Sequence, residues 1–94
     1  MQGDRFEWDD DKARANLAKH KVSFEVARAV FEDALAIDEF DLSENYYEER
    51  TNRTGMVAGR LITVTYTVRG ERFRIISARR ATKGEQNAYF DRQT

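Results

Sequence analysis

The chain has 94 residues, 40% of them apolar, enough for one modest core and therefore a single domain spanning residues 1–94. It contains no cysteine and one histidine, which excludes a disulfide framework, a thiolate metal site and a histidine cluster. No apolar run reaches the length of a membrane span and no secretory signal is seen, so a soluble cytoplasmic protein, without membrane association, is the expectation.

The net charge of −1 hides a division. Residues 1–49 carry 14 acidic and 6 basic side chains (−8), whereas residues 50–94 carry 3 and 10 (+7), nine of those ten being arginine. Arginine offers a planar, permanently charged fork suited to phosphate, so the second half reads as an anion-binding surface. The competing reading is mutual neutralisation of the two halves within one fold.

Arg5–Trp8 alternates polar and apolar residues and predicts an edge strand that delivers Phe6 and Trp8 to one side. Asp9, Asp10 and Asp11 supply a cap and acidic first-turn residues for a helix from Lys12 to His20, with Ala13 and Leu17 inward. Asn16 and His20, four apart, are neighbours on that helix, as a structural pair or as part of a site. Ser23 caps a second helix, Phe24 to Glu32, whose Phe24, Ala27, Val30 and Phe31 make the buried stripe. Ala34 to Phe40 alternates and predicts a strand with Leu35 and Ile37 facing in. Asp41 to Glu48 reads as an exposed acidic loop with Tyr46 and Tyr47, and Glu49 to Met56 as a further strand. Gly55 and Gly59 permit a bulge or turn after it.

The segment RLITVTYTVRGERFRIISARRATKGEQ, Arg60 to Gln86, then predicts a hairpin and a helix start. Ile62, Val64, Tyr66 and Val68 alternate with Thr63, Thr65 and Thr67. A two-residue loop at Arg69-Gly70 would place Tyr66 opposite Phe73, Val64 opposite Ile75 and Ile62 opposite Ser77. The same register opposes Arg60 to Arg79 on the apolar side and leaves Thr65, Thr67, Arg72 and Arg74 on the other. Two opposed cations are unfavourable unless an anion lies between them, which suggests a phosphate clamp. Thr82-Lys83-Gly84-Glu85 has the form of a capping box, so a last helix begins near Lys83 and turns Ala88, Tyr89 and Phe90 inward. The order is β-α-α-β-β-β-β-α. The class is α+β: a mostly antiparallel sheet, helices on one face, the threonine–arginine face open.

The motifs FEWD, K-x-x-x-N-x-x-KH from Lys12 to His20, VSFE with Ala27 and Val30-Phe31, Gly59-Arg60, Tyr66-Thr67 and RIISARRAT (Arg74 to Thr82), followed by Glu85 and Tyr89, resemble the BrnT toxins. The resemblance runs from Phe6 to Tyr89. Lys21 stands where glycine is usual and Ala34 where proline is common, which puts two turns in doubt. The resemblance implies a RelE-like ribonuclease toxin of a type II toxin–antitoxin system that cuts RNA, stops translation and arrests growth. It implies a BrnA-type ribbon-helix-helix antitoxin as partner, two toxins assembling with two antitoxins, and contact with DNA only through that antitoxin.

No metal constellation appears in the sequence and no cofactor is implied, so the expected chemistry is attack of the substrate's own 2′-hydroxyl, leaving a 2′,3′-cyclic phosphate. Arg60 and Arg79 are the first candidates for the phosphate. Arg80 is a reserve cation or a surface ion-pairing residue, and Arg72 and Arg74 are candidates to bind substrate. The resemblance adds Trp8, Lys19 and Glu49. Trp8 either stacks on a base or packs in the core; Lys19 either meets a phosphate or is solvated; Glu49 either accepts the 2′-hydroxyl proton or pairs with Arg60. His20 is chemically the best proton-transfer group, although its helix position speaks against its reaching the arginine end. A non-catalytic RNA- or ribosome-binding module and a purely structural antitoxin partner are the rival functions.

Overall fold

The computed structural model describes residues 5–41 and 49–93; the predicted loop with Tyr46 and Tyr47 lies outside them. The elements are β1 (Phe6–Glu7), α1 (Asp10–His20), α2 (Phe24–Val30), β2 (Ile37–Phe40), β3 (Thr51–Val57), β4 (Arg60–Arg69), β5 (Arg72–Arg80) and α3 (Lys83–Asp91). The predicted order is therefore observed. The five strands form one mixed sheet in the order β1-β5-β4-β3-β2. Its β2–β3, β3–β4 and β4–β5 pairings are antiparallel, and β1 joins β5 in parallel.

Each helix starts where a side chain accepts an otherwise unpaired N–H: Asp9 from Lys12, Ser23 from Val26 and Thr82 from Glu85. Lys21 ends α1 in the left-handed conformation (φ 61°, ψ 26°), donating its N–H to the Leu17 carbonyl. Lysine thus adopts the geometry that glycine takes without steric cost, and the turn is retained.

The core lies between α2 and one face of the sheet. Phe24, Ala27 and Val30 pack with Phe6 and Trp8 on Ile62, Val64 and Tyr66 of β4 and Ile75 and Ala78 of β5. Burying each of the larger side chains contributes roughly 1.5–3 kcal/mol. Gly55 lets α2 come close: a Cβ there would sit 3.0 Å from Val30 Cγ1.

Three inward-facing predictions fail. Leu17, Leu35 and Phe90 are exposed, and Asn16 is the buried residue of α1. The strand predicted from Ala34 begins only at Ile37, because Asp33 organises a turn. Its carboxylate accepts from the Leu35 and Met56 N–H groups at 2.9 and 2.7 Å and from the Tyr89 hydroxyl at 2.6 Å.

The hairpin register also differs from the prediction. The loop is Gly70-Glu71, with Gly70 first and at φ 60°, as a type II′ turn requires. Arg69 opposes Arg72, and Tyr66 opposes Ile75 rather than Phe73. A β-bulge follows between Tyr66 and Thr65, so that Thr65 faces Ser77, Val64 faces Ala78, Thr63 faces Arg79 and Ile62 faces Arg80. Ile76 is the additional residue. It inverts the parity of β5, placing the odd-numbered Ile75 and then the even-numbered Ala78 in the core. The helices are not confined to one face and the threonine face is not open: α3 lies against it, Glu85 reaching Thr63 and Arg79, and Thr63 and Thr67 are 1% and 4% exposed.

Candidate active site

The bulge decides which cations share a surface. Arg60 opposes Val57 and has the parity of Ile62, whereas Arg79 opposes Thr63. The two arginines expected to face one another across the hairpin are on opposite faces of the sheet. The single additional residue, Ile76, is the physical reason.

Arg79 is instead held by Glu85, one turn into α3. Its two terminal nitrogens donate to the two carboxylate oxygens at 2.7 and 3.0 Å. Glu85 also accepts from the Thr82 N–H at 2.8 Å, completing the capping box, and from the Thr63 hydroxyl at 3.0 Å. Burial alone would push the Glu85 carboxyl up. The hydrogen bonds from Arg79, Thr82 and Thr63, with the Arg79 charge, outweigh it and bring the carboxyl down to about 2. Glu85 is thus a fixed anion and a poor proton acceptor at neutral pH. The Arg79 guanidinium remains one-third exposed (33%) and rigidly aimed.

The same face of β5 meets α1 at Ser77, two residues before Arg79 and therefore about 7 Å along the strand. A shallow groove there is lined by Lys12, Asn16, Lys19, His20, Ile76 and Ser77. Asn16 fastens α1 to this edge. Its amide donates to the Ala78 and Val22 carbonyls at 2.8 and 2.9 Å and accepts from the Ala78 N–H at 3.1 Å. It thereby occupies both backbone groups of Ala78, as another strand would, and β1 covers only the preceding stretch of the β5 edge. Asn16 has no hydrogen bond to His20 among the described residues; its partners lie in β5 and the link after α1. Lys19 and His20 therefore lie in the groove beside Ser77, and Arg79 follows two residues further along β5.

The remaining candidates are dispersed. Arg60 and Arg80, which have the parity of Ile62, meet at the end of the sheet in a depression that also takes in Met56 and Leu61 from the threonine face. Glu49 has its carbonyl bonded to the Thr67 hydroxyl at 2.7 Å, seven residues along β4 from Arg60 and so roughly 23 Å away. The Glu49–Arg60 pair is therefore ruled out. Arg74 pairs with Glu7 at 2.8 Å, and Arg72 sits exposed beside the turn. Trp8 is buried, edge-on to Phe24 at 5.7 Å between ring centres, which is the core reading of the two. Among the described residues no three His, Asp or Glu side chains converge as a metal set. The sequence marked Glu85 only as a cap; its second role had a signal in an arginine six residues earlier, but only with the bulge known.

The chain thus forms a small α+β scaffold with a half-buried polar sheet face edged by cations. A family profile described as the ribonuclease toxin BrnT of type II toxin–antitoxin systems matches residues 8–85, most of the chain. The chain belongs to the BrnT family of ribonuclease toxins. Membership implies an antitoxin partner. No individually curated protein matches the chain, and no helix among the described residues is long and apolar enough to cross a membrane.

Proposed function

We propose that this chain is a metal-independent endoribonuclease whose active site is the surface shared by His20, Lys19, Ser77 and Arg79. The observation that supports the reading is the groove between α1 and β5, where Lys19 and His20 lie beside Ser77, two residues before the Arg79 that Glu85 holds. In this reading a phosphodiester lies over Ser77. Arg79 and Lys19 donate to the phosphorane oxygens, and His20 takes the 2′-hydroxyl proton or returns one to the departing 5′-oxygen. Cutting leaves a 2′,3′-cyclic phosphate and a 5′-hydroxyl. Positioned proton transfer supplies about 100- to 10,000-fold, and preorganised charge is of comparable worth. Arg72 and Arg74 line the onward path of the strand on the same face.

The antitoxin in this reading is a BrnA-type ribbon-helix-helix protein, two copies assembling with two toxins on a RelE-like fold. The complex carries DNA binding through the antitoxin alone.

The deciding experiment incubates the purified chain with end-labelled RNA in EDTA. Wild type is expected to yield cyclic-phosphate ends, with cleavage at least 100-fold slower in His20→Ala and in Arg79→Ala. Arg79→Lys, which keeps a cation beside Glu85, separates loss of the guanidinium from loss of folding. Cleavage unchanged in folded His20→Ala and Arg79→Lys variants would remove this site. RNA bound but left uncut by wild type would favour a module that blocks translation by occupancy.

A further inference from the structure

The cations not absorbed by that site include Arg60 and Arg80. They line one shallow depression at the end of the sheet, together with Met56, Leu61, Gln86 and Phe90. Both arginines are exposed, and neither has an ion pair or side-chain hydrogen bond among the described residues. Two like charges brought to one hollow without a carboxylate are unfavourable, which points to an anion from outside. Beside them Phe90 leaves half of its surface in water (50%), on a helix whose neighbouring Tyr89 is buried. Its ring stands edge-on to Tyr89, at 87° and 5.4 Å, and Tyr89 is tied to Asp33. Gln86 uses its amide nitrogen on the Ala81 carbonyl at 3.2 Å, which orients its side chain at the same hollow.

We infer that this depression is a second RNA contact, distinct from the cutting site: a nucleotide subsite in which Arg60 and Arg80 take a backbone phosphate and Phe90 stacks on the adjoining base. The inference rests on the part of the proposed function that makes RNA this chain's ligand, not on its being cut. A permanently charged fork and an exposed aromatic ring are the two elements with which single-strand binders grip without reading sequence. Gln86 and Phe90 lie on α3, just beyond residue 85 where the family match ends. Arg79 and Arg80 are consecutive and project from opposite faces of β5, so a bound strand would pass around the end of the sheet from one site to the other.

The test measures binding of fluorescent single-stranded RNA by anisotropy, in a His20→Ala background that prevents cutting. Phe90→Ala should weaken binding about 5- to 100-fold, the range for loss of one stacked base. Phe90→Leu, which keeps an apolar side chain on α3, should weaken it as well. The double variant Arg60→Ala/Arg80→Ala should lower the slope of log K against log salt by about 0.7 to 1.4, one or two phosphates released. An oligonucleotide with abasic positions should bind wild type and Phe90→Ala alike. RNA affinity and salt slope unchanged in all these folded variants would overturn the inference. Loss of antitoxin binding by the same variants, with RNA binding intact, would overturn it in favour of a protein-docking surface. Cleavage assays without the His20→Ala change keep the two readings apart: a wild type that does not cut RNA, with binding still lost in the Phe90 and Arg60/Arg80 variants, refutes the enzyme and leaves the subsite standing.

Discussion

Glu85 carries three duties through one carboxylate: it caps α3, accepts from Thr63 and aims Arg79. Its folded-state pKa of about 2 lies below its ordinary 4.5. The depression means that the folded state binds this proton more weakly than the unfolded chain. The stability it supplies is therefore complete above about pH 4.5 and is lost as the pH falls towards 2. At neutral pH the shift corresponds to at most roughly 3 kcal/mol. Glu85→Gln is expected to lower urea-unfolding stability at pH 7 by on the order of 2–3 kcal/mol and to flatten the fall in stability between pH 4.5 and 2. An unchanged acid transition in the variant would show that other carboxylates carry it. The same substitution frees Arg79 to rotate, so cleavage should fall with stability, whereas Thr82→Ala, which removes only the hydroxyl side of the cap, should cost about 1 kcal/mol and leave Arg79 in place.

At the scale of elements, strong periodicities were legible and single-residue irregularities were not. The apolar stripe of α2, the capping boundaries and the existence of all five strands follow from residue spacing. The bulge does not, because Ile75 and Ile76 are both apolar and either could have continued the alternation. That one ambiguity moved Arg79 to the other face and removed the expected Arg60–Arg79 clamp. The prediction that Leu17 faces inward failed for a related reason. α1 lies against the edge of β5, where free backbone groups demand a polar partner, so Asn16 and not leucine is buried. Asn16→Ala is expected to cost about 2–4 kcal/mol, since the Ala78 N–H and C=O and the Val22 C=O would all lose their partner. Urea unfolding gives the magnitude, and the Ala78 amide should show the largest gain in hydrogen-exchange rate.

Across the whole molecule the acidic first half and the basic second half are only partly used against each other. Arg53 pairs with Asp38 and stacks 4.5 Å from the Phe31 ring centre, and Arg74 pairs with Glu7. Arg79 finds its anion within its own half, and Arg60, Arg72 and Arg80 find none among the described residues. Internal neutralisation therefore explains part of the charge division, and the remainder is available to a polyanion. RNA affinity should fall linearly with log salt, by about 0.7 per phosphate contacted. The folding stability of the same protein should change by less than about 1 kcal/mol between 0.05 and 0.5 M salt, because partly exposed pairs contribute little. A folding stability as salt-sensitive as the RNA affinity would mean that the surplus arginines serve the fold.

The joint at Asn16 has a further implication. Because it grips main-chain atoms, α1 is indifferent to which side chains β5 carries at that point. The proposed cutting surface could exchange residues along the strand, and so change what it acts upon, without the helix that carries His20 coming loose.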